Sequence, residues 1–290
     1  TAETMYSAIF LVIVSGGLSF GQEEPANPFP FLVAFSIGQQ EVFCSGSIFN
    51  ENYILTAAQC GHSDLPDVFN MHVGSSVVEI RTGLSNPIAV HKSDYIVHPS
   101  WRTDFPENDV ALLKLRTPLK LVAGKVEKGP AINSDPACPA IGESCVYPGW
   151  NCESRSFVPQ NCSMDVYSLD ACQEVVSFEN KIIKTISNKQ LCTGTNSTAE
   201  KCRTYTGLPL FGQCSGKQLV IGIASLGAYP VRCQEYSGLK VYTNVARFSE
   251  WIKSNTGESG TGAAEAVTRQ SRSGITLLSV FGMLGLQAIL

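Results

Sequence analysis

Few side chains in this sequence are suited to moving a proton at neutral pH. Among its 290 residues are 4 histidines, His62, His72, His91 and His98. Each falls in a stretch that reads as loop or inter-strand connection, so each reads as a surface or structural residue. The conspicuous polar residue is Gln59, in Ile54-Leu55-Thr56-Ala57-Ala58-Gln59-Cys60. There a strand-like apolar run ends in two alanines, and an amide follows against a cysteine. A carboxamide can donate an N–H, but it does not take up a proton near neutral pH and cannot act as a general base. The other chemically distinctive residues are 11 cysteines, spread from Cys44 to Cys233. They lack the tight paired spacing of zinc sites, so neither a metal nor a cofactor is expected. Scattered cysteines at this density indicate disulfides and an oxidising compartment.

Composition supports an ordinary globular protein, with 44% hydrophobic and 16% charged residues. The net charge is −4 and the first basic residue is Arg81. With no basic run, nucleic acid is not an expected partner. Two sequons, Asn161-Cys162-Ser163 and Asn196-Ser197-Thr198, fit a secreted glycoprotein.

Both ends read as processing segments. Met5 opens an apolar stretch typical of a secretory signal, with Ser19 and Gly21 placing cleavage before Gln22. Residues 1–21 are therefore assigned to a signal peptide region. At the other end, the small trio Gly262-Ala263-Ala264, a polar spacer and an apolar tail from Ile275 to Leu290 match the pattern for a glycosylphosphatidylinositol anchor. The tail is short for a spanning helix, which wants about 20 residues, and no basic cytoplasmic flank follows it. Residues 256–274 read as a flexible stalk carrying the attachment site at Gly262, and 275–290 as the hydrophobic anchor signal.

The elements that must position the chemistry lie in between. "FPFLVAFSI", "CSGSIFN", "NYILTAA", "DVALLKL", "SCVYPGW", "QLVIGIAS" and "LKVYTNV" are short β-branched or aromatic runs separated by Gly, Pro, Asn and Ser. Many short strands at close spacing indicate a barrel or sandwich. In "TNVARFSEWIKSN", Val245, Phe248 and Ile252 recur at helical spacing, with Thr243 or Asn244 as N-cap candidate. This predicts one terminal helix closing an all-β body.

Four landmarks then line up in order: "TAAQC" (56–60), "NDVALLKL" (108–115), "CRTYTGLPLF" (202–211), and "SLG" (225–227) before "VYTNV" (241–245). The ordered set resembles the chymotrypsin-like, or trypsin-like, serine protease family over roughly residues 26–255. The resemblance implies two packed six-stranded antiparallel β-barrels with a C-terminal helix and a cleft between the barrels, spanning 22–255. It pairs Cys44 with Cys60, Cys145 with Cys214, Cys172 with Cys192, and Cys202 with Cys233. Cys138, Cys152 and Cys162 remain. A 152–162 bridge would close a short loop, the other two pairings stay open, and the leftover thiol is either buried or bridged to a partner.

The resemblance also places the catalytic positions. Asp109 stands where the orienting carboxylate belongs, Gln59 where the imidazole belongs, and Thr206 where the serine belongs. Such a triad needs the imidazole to take the hydroxyl proton. Gln59 can satisfy Asp109 with an N–H while abandoning that transfer. Thr204 replaces a glycine that supplies an oxyanion-hole donor, and a β-branched residue adopts positive φ only at a cost. Tyr205 replaces the aspartate that would hold an activating N-terminal ammonium. Glu200 falls at the base of the specificity pocket and Lys240 on its wall, where they are expected either to pair and fill it or to be solvated. Gly227 lies on the strand that binds substrate backbone in the family.

These readings converge on a catalytically inactive homologue, secreted and tethered to the outer face of the plasma membrane by a lipid anchor, that works by binding proteins as a decoy, cofactor or recognition module. Two alternatives carry less weight: an unconventional hydrolase using Thr206, and a small-ligand carrier using the cleft.

Overall fold

The structure is a computed structural model, and it describes residues 28–38, 41–62, 64–74, 86–103, 107–151, 160–173, 186–194, 202–226 and 239–258. The signal, the anchor segment, Glu200, Gly227, Asn196 and Gly262 lie outside those residues. Fourteen strands form two antiparallel sheets. The first holds β1 (Leu32–Ile37), β2 (Glu41–Asn50), β3 (Tyr53–Thr56), β4 (Val68–Val73), β5 (Ile88–His91), β6 (Tyr95–Val97) and β7 (Ala111–Lys114) in the order β5-β4-β1-β2-β3-β7-β6. The second holds β8 (Ser144–Asn151), β9 (Gln160–Tyr167), β10 (Gln190–Gly194), β11 (Cys202–Arg203), β12 (Pro209–Cys214), β13 (Lys217–Leu226) and β14 (Lys240–Asn244) in the order β11-β8-β12-β13-β14-β10-β9.

An added β8–β9 pairing closes six strands of the second sheet into a ring, with β11 attached outside it on β8. The first sheet has seven strands rather than six. Among the described residues no ladder joins its ends, β5 and β6. The all-β, two-barrel expectation therefore holds, with one closed barrel and one open one.

Each barrel buries its own apolar set, because alternate strand residues face inward. Phe35, Ile48, Ile54, Met71, Leu112 and Leu113 fill the first. Leu208, Leu210, Ile221, Met164 and Tyr242 fill the second, joined by Phe29. The terminal segment opens as a 3-10 turn, Val245–Phe248, with the Asn244 side chain accepting from the Ala246 amide at 3.2 Å. An α-helix, α1, follows over Ser249–Thr256. Val245, Phe248 and Ile252 are buried against the first barrel, as their spacing predicts. His98 meets the rings of Phe248 and Trp251 at 5.2 and 5.1 Å.

The histidine placement differs from the sequence reading in one respect. His72 lies within β4, and His91 ends β5. His72 is 2% exposed and its Nε2 lies 2.9 Å from Ser36 Oγ. Burial lowers the pKa of this imidazole, so it sits under the sheet as a structural residue.

The cysteines bring a clear correction. Cys44–Cys60 and Cys172–Cys192 are bonded as the resemblance implies. Cys214, however, pairs with Cys138, and Cys145 is a free, buried thiol. The reason lies in strand geometry. Cys145 faces the interior of β8, where it sits opposite Met164 and donates to the Met164 carbonyl at 3.3 Å. Cys138, in the loop before β8, reaches the end of β12, where its Cα lies 5.9 Å from that of Cys214. Cys162 is also disulfide-bonded, to a cysteine outside the described side chains, while Cys152 and Cys233 lie outside the described residues. The Asn161 side chain is exposed on β9, which leaves that sequon accessible.

Burial, then the nearby Asp165 carboxylate, pushes the Cys145 thiol up to about 12. Thiolate is the reactive form, so this thiol is inert in the folded protein. Iodoacetamide applied to native protein at neutral pH should leave Cys145 unlabelled and label it only after denaturation. A non-reducing peptide map should contain a Cys138–Cys214 linked peptide. A Cys145–Cys214 peptide in its place would reverse the assignment.

Candidate functional site

The site is built where the barrels touch. β3 ends at Thr56, and the chain turns into a 3-10 segment, Ala58–Gly61, whose Cys60 is pinned by the disulfide to β2. This sets Gln59 at the seam. From the other side, Asn108 adopts φ 59°, a left-handed turn that asparagine tolerates. Its side chain holds the turn, donating to the Ser100 carbonyl at 3.1 Å and accepting from Lys189 Nζ at 3.1 Å. The turn points the Asp109 side chain inward, to 0% exposure.

A carboxylate buried this far must collect hydrogen bonds. Asp109 Oδ1 accepts from the Gln59 backbone amide at 2.9 Å. Its Oδ2 accepts from Gln59 Nε2 at 2.6 Å and from Ser225 Oγ at 2.6 Å. Thr243 Oγ1 donates to the Asp109 carbonyl at 2.8 Å. Burial raises the Asp109 pKa, while the bonds from Ser225, Gln59 and Ala58 pull it back down. Ser225 and Thr243 belong to the second barrel, so this carboxylate also ties the barrels together.

Thr206 is brought to the same seam through its backbone. It is 6% exposed, and its carbonyl accepts from the Ser45 amide of β2 at 2.8 Å. Gly207 follows at φ +88°. A Cβ there would stand 2.1 Å from the Ser45 carbonyl oxygen, so only glycine lets the two backbones approach this closely. Thr204 is not among the described non-glycine residues with positive φ, which are Asn108 and Ser215. The Tyr205 ring is buried in the apolar cluster of the second barrel.

Lys240, foreseen on the pocket wall, is 6% exposed. Its Nζ donates to Tyr147 Oη at 2.9 Å and to Thr204 Oγ1, and it lies 4.5 Å from the centroid of the Tyr147 ring. Its stem and ammonium thus occupy space beneath the Thr204–Thr206 turn. Burial drives its pKa down to about 7. Sequence reasoning named Lys240 but not Tyr147 or Thr204 as its partners, because a contact across 93 or 36 residues leaves no local pattern. An open hollow of about 600 Å³ lies nearby, lined by Gly61, Asp67, His91, Lys92 and Ser93. Gln59, Asp109 and Thr206 do not line it, and its main charges pair with each other, Lys92 to Asp67 at 3.2 Å.

The arrangement can bind a carboxylate's lone pairs with an amide; it cannot pass a proton from Thr206 to Asp109 through that amide.

Two substitutions test these contacts. Gln59→Ala removes a charge-assisted hydrogen bond from a buried carboxylate and should destabilise the fold by about 2 kcal/mol in denaturant titrations. Gln59→Glu should destabilise it more at pH 7 and recover as acid protonates the pair. For Lys240 the unfolded chain holds its proton up to about pH 10.5, the folded chain only to about 7. Between those values the unfolded state binds more protons, so stability rises with pH across the window. Lys240→Met should flatten that rise and stabilise the protein at pH 7 by on the order of 3 kcal/mol; an unchanged pH profile would contradict the burial of this amine.

Comparison with known proteins agrees with this geometry. The family model described as Trypsin matches residues 18–252. Rat kallikrein-8 (Rattus norvegicus) is 28% identical over 249 residues, covering 82% of this chain and 86% of its own. CLIP domain-containing serine protease B15 of Anopheles gambiae is 28% identical, covering 81% of this chain and 68% of its own. Vaa serine proteinase homolog 1 of Vipera ammodytes ammodytes is 26% identical, covering 81% and 85%. Among solved structures, kallikrein-related peptidase 10 superposes with a TM-score of 0.59 at 22% identity, over 80% of this chain and 98% of that one. That likeness speaks to the fold. With the family model spanning most of its length and Gln59 bonded to Asp109 at the barrel seam, this chain belongs to the trypsin family of serine proteases.

Proposed function

We propose that this chain is a non-catalytic member of its family that acts by binding other proteins through its surface and cleft, as a decoy, cofactor or recognition module. In this reading it is secreted, glycosylated at Asn161 and Asn196, and held at the outer face of the plasma membrane by a lipid anchor at Gly262. The observation that carries the proposal is the 2.6 Å hydrogen bond from Gln59 Nε2 to Asp109. An amide occupies the place from which a base would act, and its donor is already committed to the carboxylate.

Magnitudes support it. Losing the base of a triad lowers turnover by roughly a million-fold, or about 8 kcal/mol of barrier. A β-branched Thr204 at the oxyanion-hole position removes about another hundred-fold. The Ser36–His72 pair does not compensate, since both side chains are buried, at 0% and 2% exposure, within β1 and β4. The burial of Lys240 supports a cleft occupied by the chain's own side chains. One similar protein is itself named a serine proteinase homolog, while the others are named proteases or peptidases.

The test is covalent labelling with a fluorophosphonate probe, alongside peptide-library digestion. The expected result is no labelling above a Thr206→Ala control and no cleavage above background. Labelling at Thr206 that the control abolishes would make the chain a hydrolase with unconventional chemistry.

A further inference from the structure

Among the described residues Ile141 is the most exposed large hydrophobic, at 71%, where the others lie between 39% and 47%. Single exposed apolar side chains are common and need no account of their own. What sets this one apart is the frame that holds it out. It stands on the loop that leads from Asn133 into β8. At the start of that loop the Asn133 side chain, 1% exposed, donates to the Asp135 and Cys138 carbonyls at 2.9 and 2.7 Å and accepts from the Asp135 amide at 3.0 Å. Cys138 is tied to β12 through Cys214. At its end Gly142 turns at φ +85° and donates to the Val166 carbonyl at 2.8 Å, while the Glu143 carbonyl accepts from the Val166 amide at 2.9 Å. Pro136, Ala137 and Ala140 are exposed on the same loop. The apolar tip is thus fixed before anything meets it, and docking on it orders little chain.

Three carboxylates belong to the same frame, each held by one oxygen. Asp135 Oδ1 accepts from the Ala137 amide at 2.9 Å, Glu143 Oε2 from the Ala140 amide at 3.0 Å, and Asp165 Oδ1 from Ser144 Oγ at 2.8 Å. Ser144 and Asp165 face each other across the β8–β9 ladder, next to the loop's end. The second oxygen of each carboxylate has no partner among the described residues, and none of the three is in an ion pair there. The sequence offers little to neutralise them. Between Lys128 and Lys181 it carries 7 acids and one base, Arg155. The disulfide brings Lys217, three residues past Cys214, to this end of the barrel, and it pairs with none of the three.

We infer that this tip is a docking surface for a protein partner whose facing surface joins an apolar hollow to lysine or arginine side chains. Covering Ile141 strips water from the neighbouring Glu143 as well. A carboxylate desolvated without a cation is costly, so the cover must bring its own positive charge. Carboxylates held by one oxygen, with the other open, suit ammonium and guanidinium donors. The same charges repel phosphate and anionic lipid, which sets nucleic acid and acidic membranes aside. A second copy of this chain offers its 119–129 hairpin, where exposed Lys120 and Lys125 flank Leu121 and Val122. That hairpin turns its apolar pair outward too, and two projecting tips leave each other uncovered. The inference rests on the protein-binding reading and gives it a surface, the loop end of the β8–β9 ladder.

The test pans a phage-displayed library of small folded domains, each with one randomised face, against the full chain made by a secretory host. A fixed apolar tip is where binding energy concentrates, so an unbiased selection should converge on it. Most selected domains should carry lysine or arginine beside apolar side chains. Ile141→Ser should weaken their binding by about ten-fold or more at any salt. Asp135→Asn, Glu143→Gln and Asp165→Asn together should slow association about ten-fold at low salt and flatten its salt dependence. Each of these amides keeps the oxygen that accepts the local hydrogen bond, and Ile141 stands in water, so both variants should melt with wild type. Selected domains that bind wild type and both variants alike, or that lack basic residues, overturn the inference. So does self-association of wild type that Ile141→Ser abolishes, which would give the tip to a second copy. Flotation with phosphatidylcholine vesicles that Ile141→Ser abolishes would give it to a lipid surface and overturn it equally. Fluorophosphonate labelling at Thr206 alongside loop-dependent binding sinks the non-catalytic reading and leaves the docking surface standing. Binding that ignores the loop, with no labelling, does the reverse.

Discussion

A single buried carboxylate constrains most of what is distinctive in this molecule. Asp109 is fully enclosed where the two barrels meet, and an ionised group in such a place is tolerated only when donors surround it. Those donors come from both sides: the Gln59 amides from the first barrel, and the Ser225 hydroxyl from the second. The same requirement explains why an amide can stand at position 59. An imidazole there would offer an N–H to Asp109 and a second nitrogen to a nucleophile. Glutamine keeps the first service and drops the second. Proton transfer and structural support are thereby separated at one residue, and the fold retains what it needs.

Much of this was legible in the sequence because the key groups sit at the ends of strands with strong patterns. The runs around Ile54–Thr56 and Ala111–Lys114 read as strands, and the resemblance of the strings at their ends to the family's landmarks implied that Gln59 and Asp109 meet. The strands that went unread share a different character. β4 carries Asn70 and His72 amid its apolar residues, and β9 carries Asn161, Ser163 and Asp165. In β4 His72 takes a buried position beside Met71, which breaks a period of two, while β9 alternates cleanly but with cysteine and methionine, beside Val166, on its inward face rather than a run of β-branched residues. The Cys214 pairing failed for a related reason. The resemblance implied Cys145 as the partner, and no local pattern in the sequence tells which of Cys138 and Cys145, seven residues apart, meets Cys214 in the fold.

Lysine shows how position changes a residue's meaning. Lys240 is packed beneath the turn that carries Thr206, with a phenol and a hydroxyl for neighbours, and burial weakens its hold on a proton. Such a group is expensive to bury and makes the cleft less able to admit another side chain. Lys120 and Lys125 stand in water on a hairpin whose backbone is fixed by the barrel. There the charge is open to long-range attraction, and its energetic worth depends on what lies opposite. One chain thus places this residue type beneath the Thr204–Thr206 turn and on its open surface, with opposite electrostatic surroundings.

The two-barrel architecture makes this redistribution possible. Each barrel centres on an apolar core, and the seam is held by residues that cross between them, such as Leu32 and Ala34 into the second cluster and Phe211 and Ile223 into the first, by backbone contacts such as Ser45 to Thr206 and by the Asp109 cluster. None of these contacts needs a working nucleophile. Gly207 illustrates the point: its positive φ and its close approach to Ser45 are demands of packing, met whether or not the hydroxyl beside it reacts. Surface loops and the 119–129 hairpin are attached to cores that do not depend on the chemistry of the cleft. In the non-catalytic reading the chain keeps a rigid body whose loops are free to diverge, and recognition can be built on them at no cost to the seam.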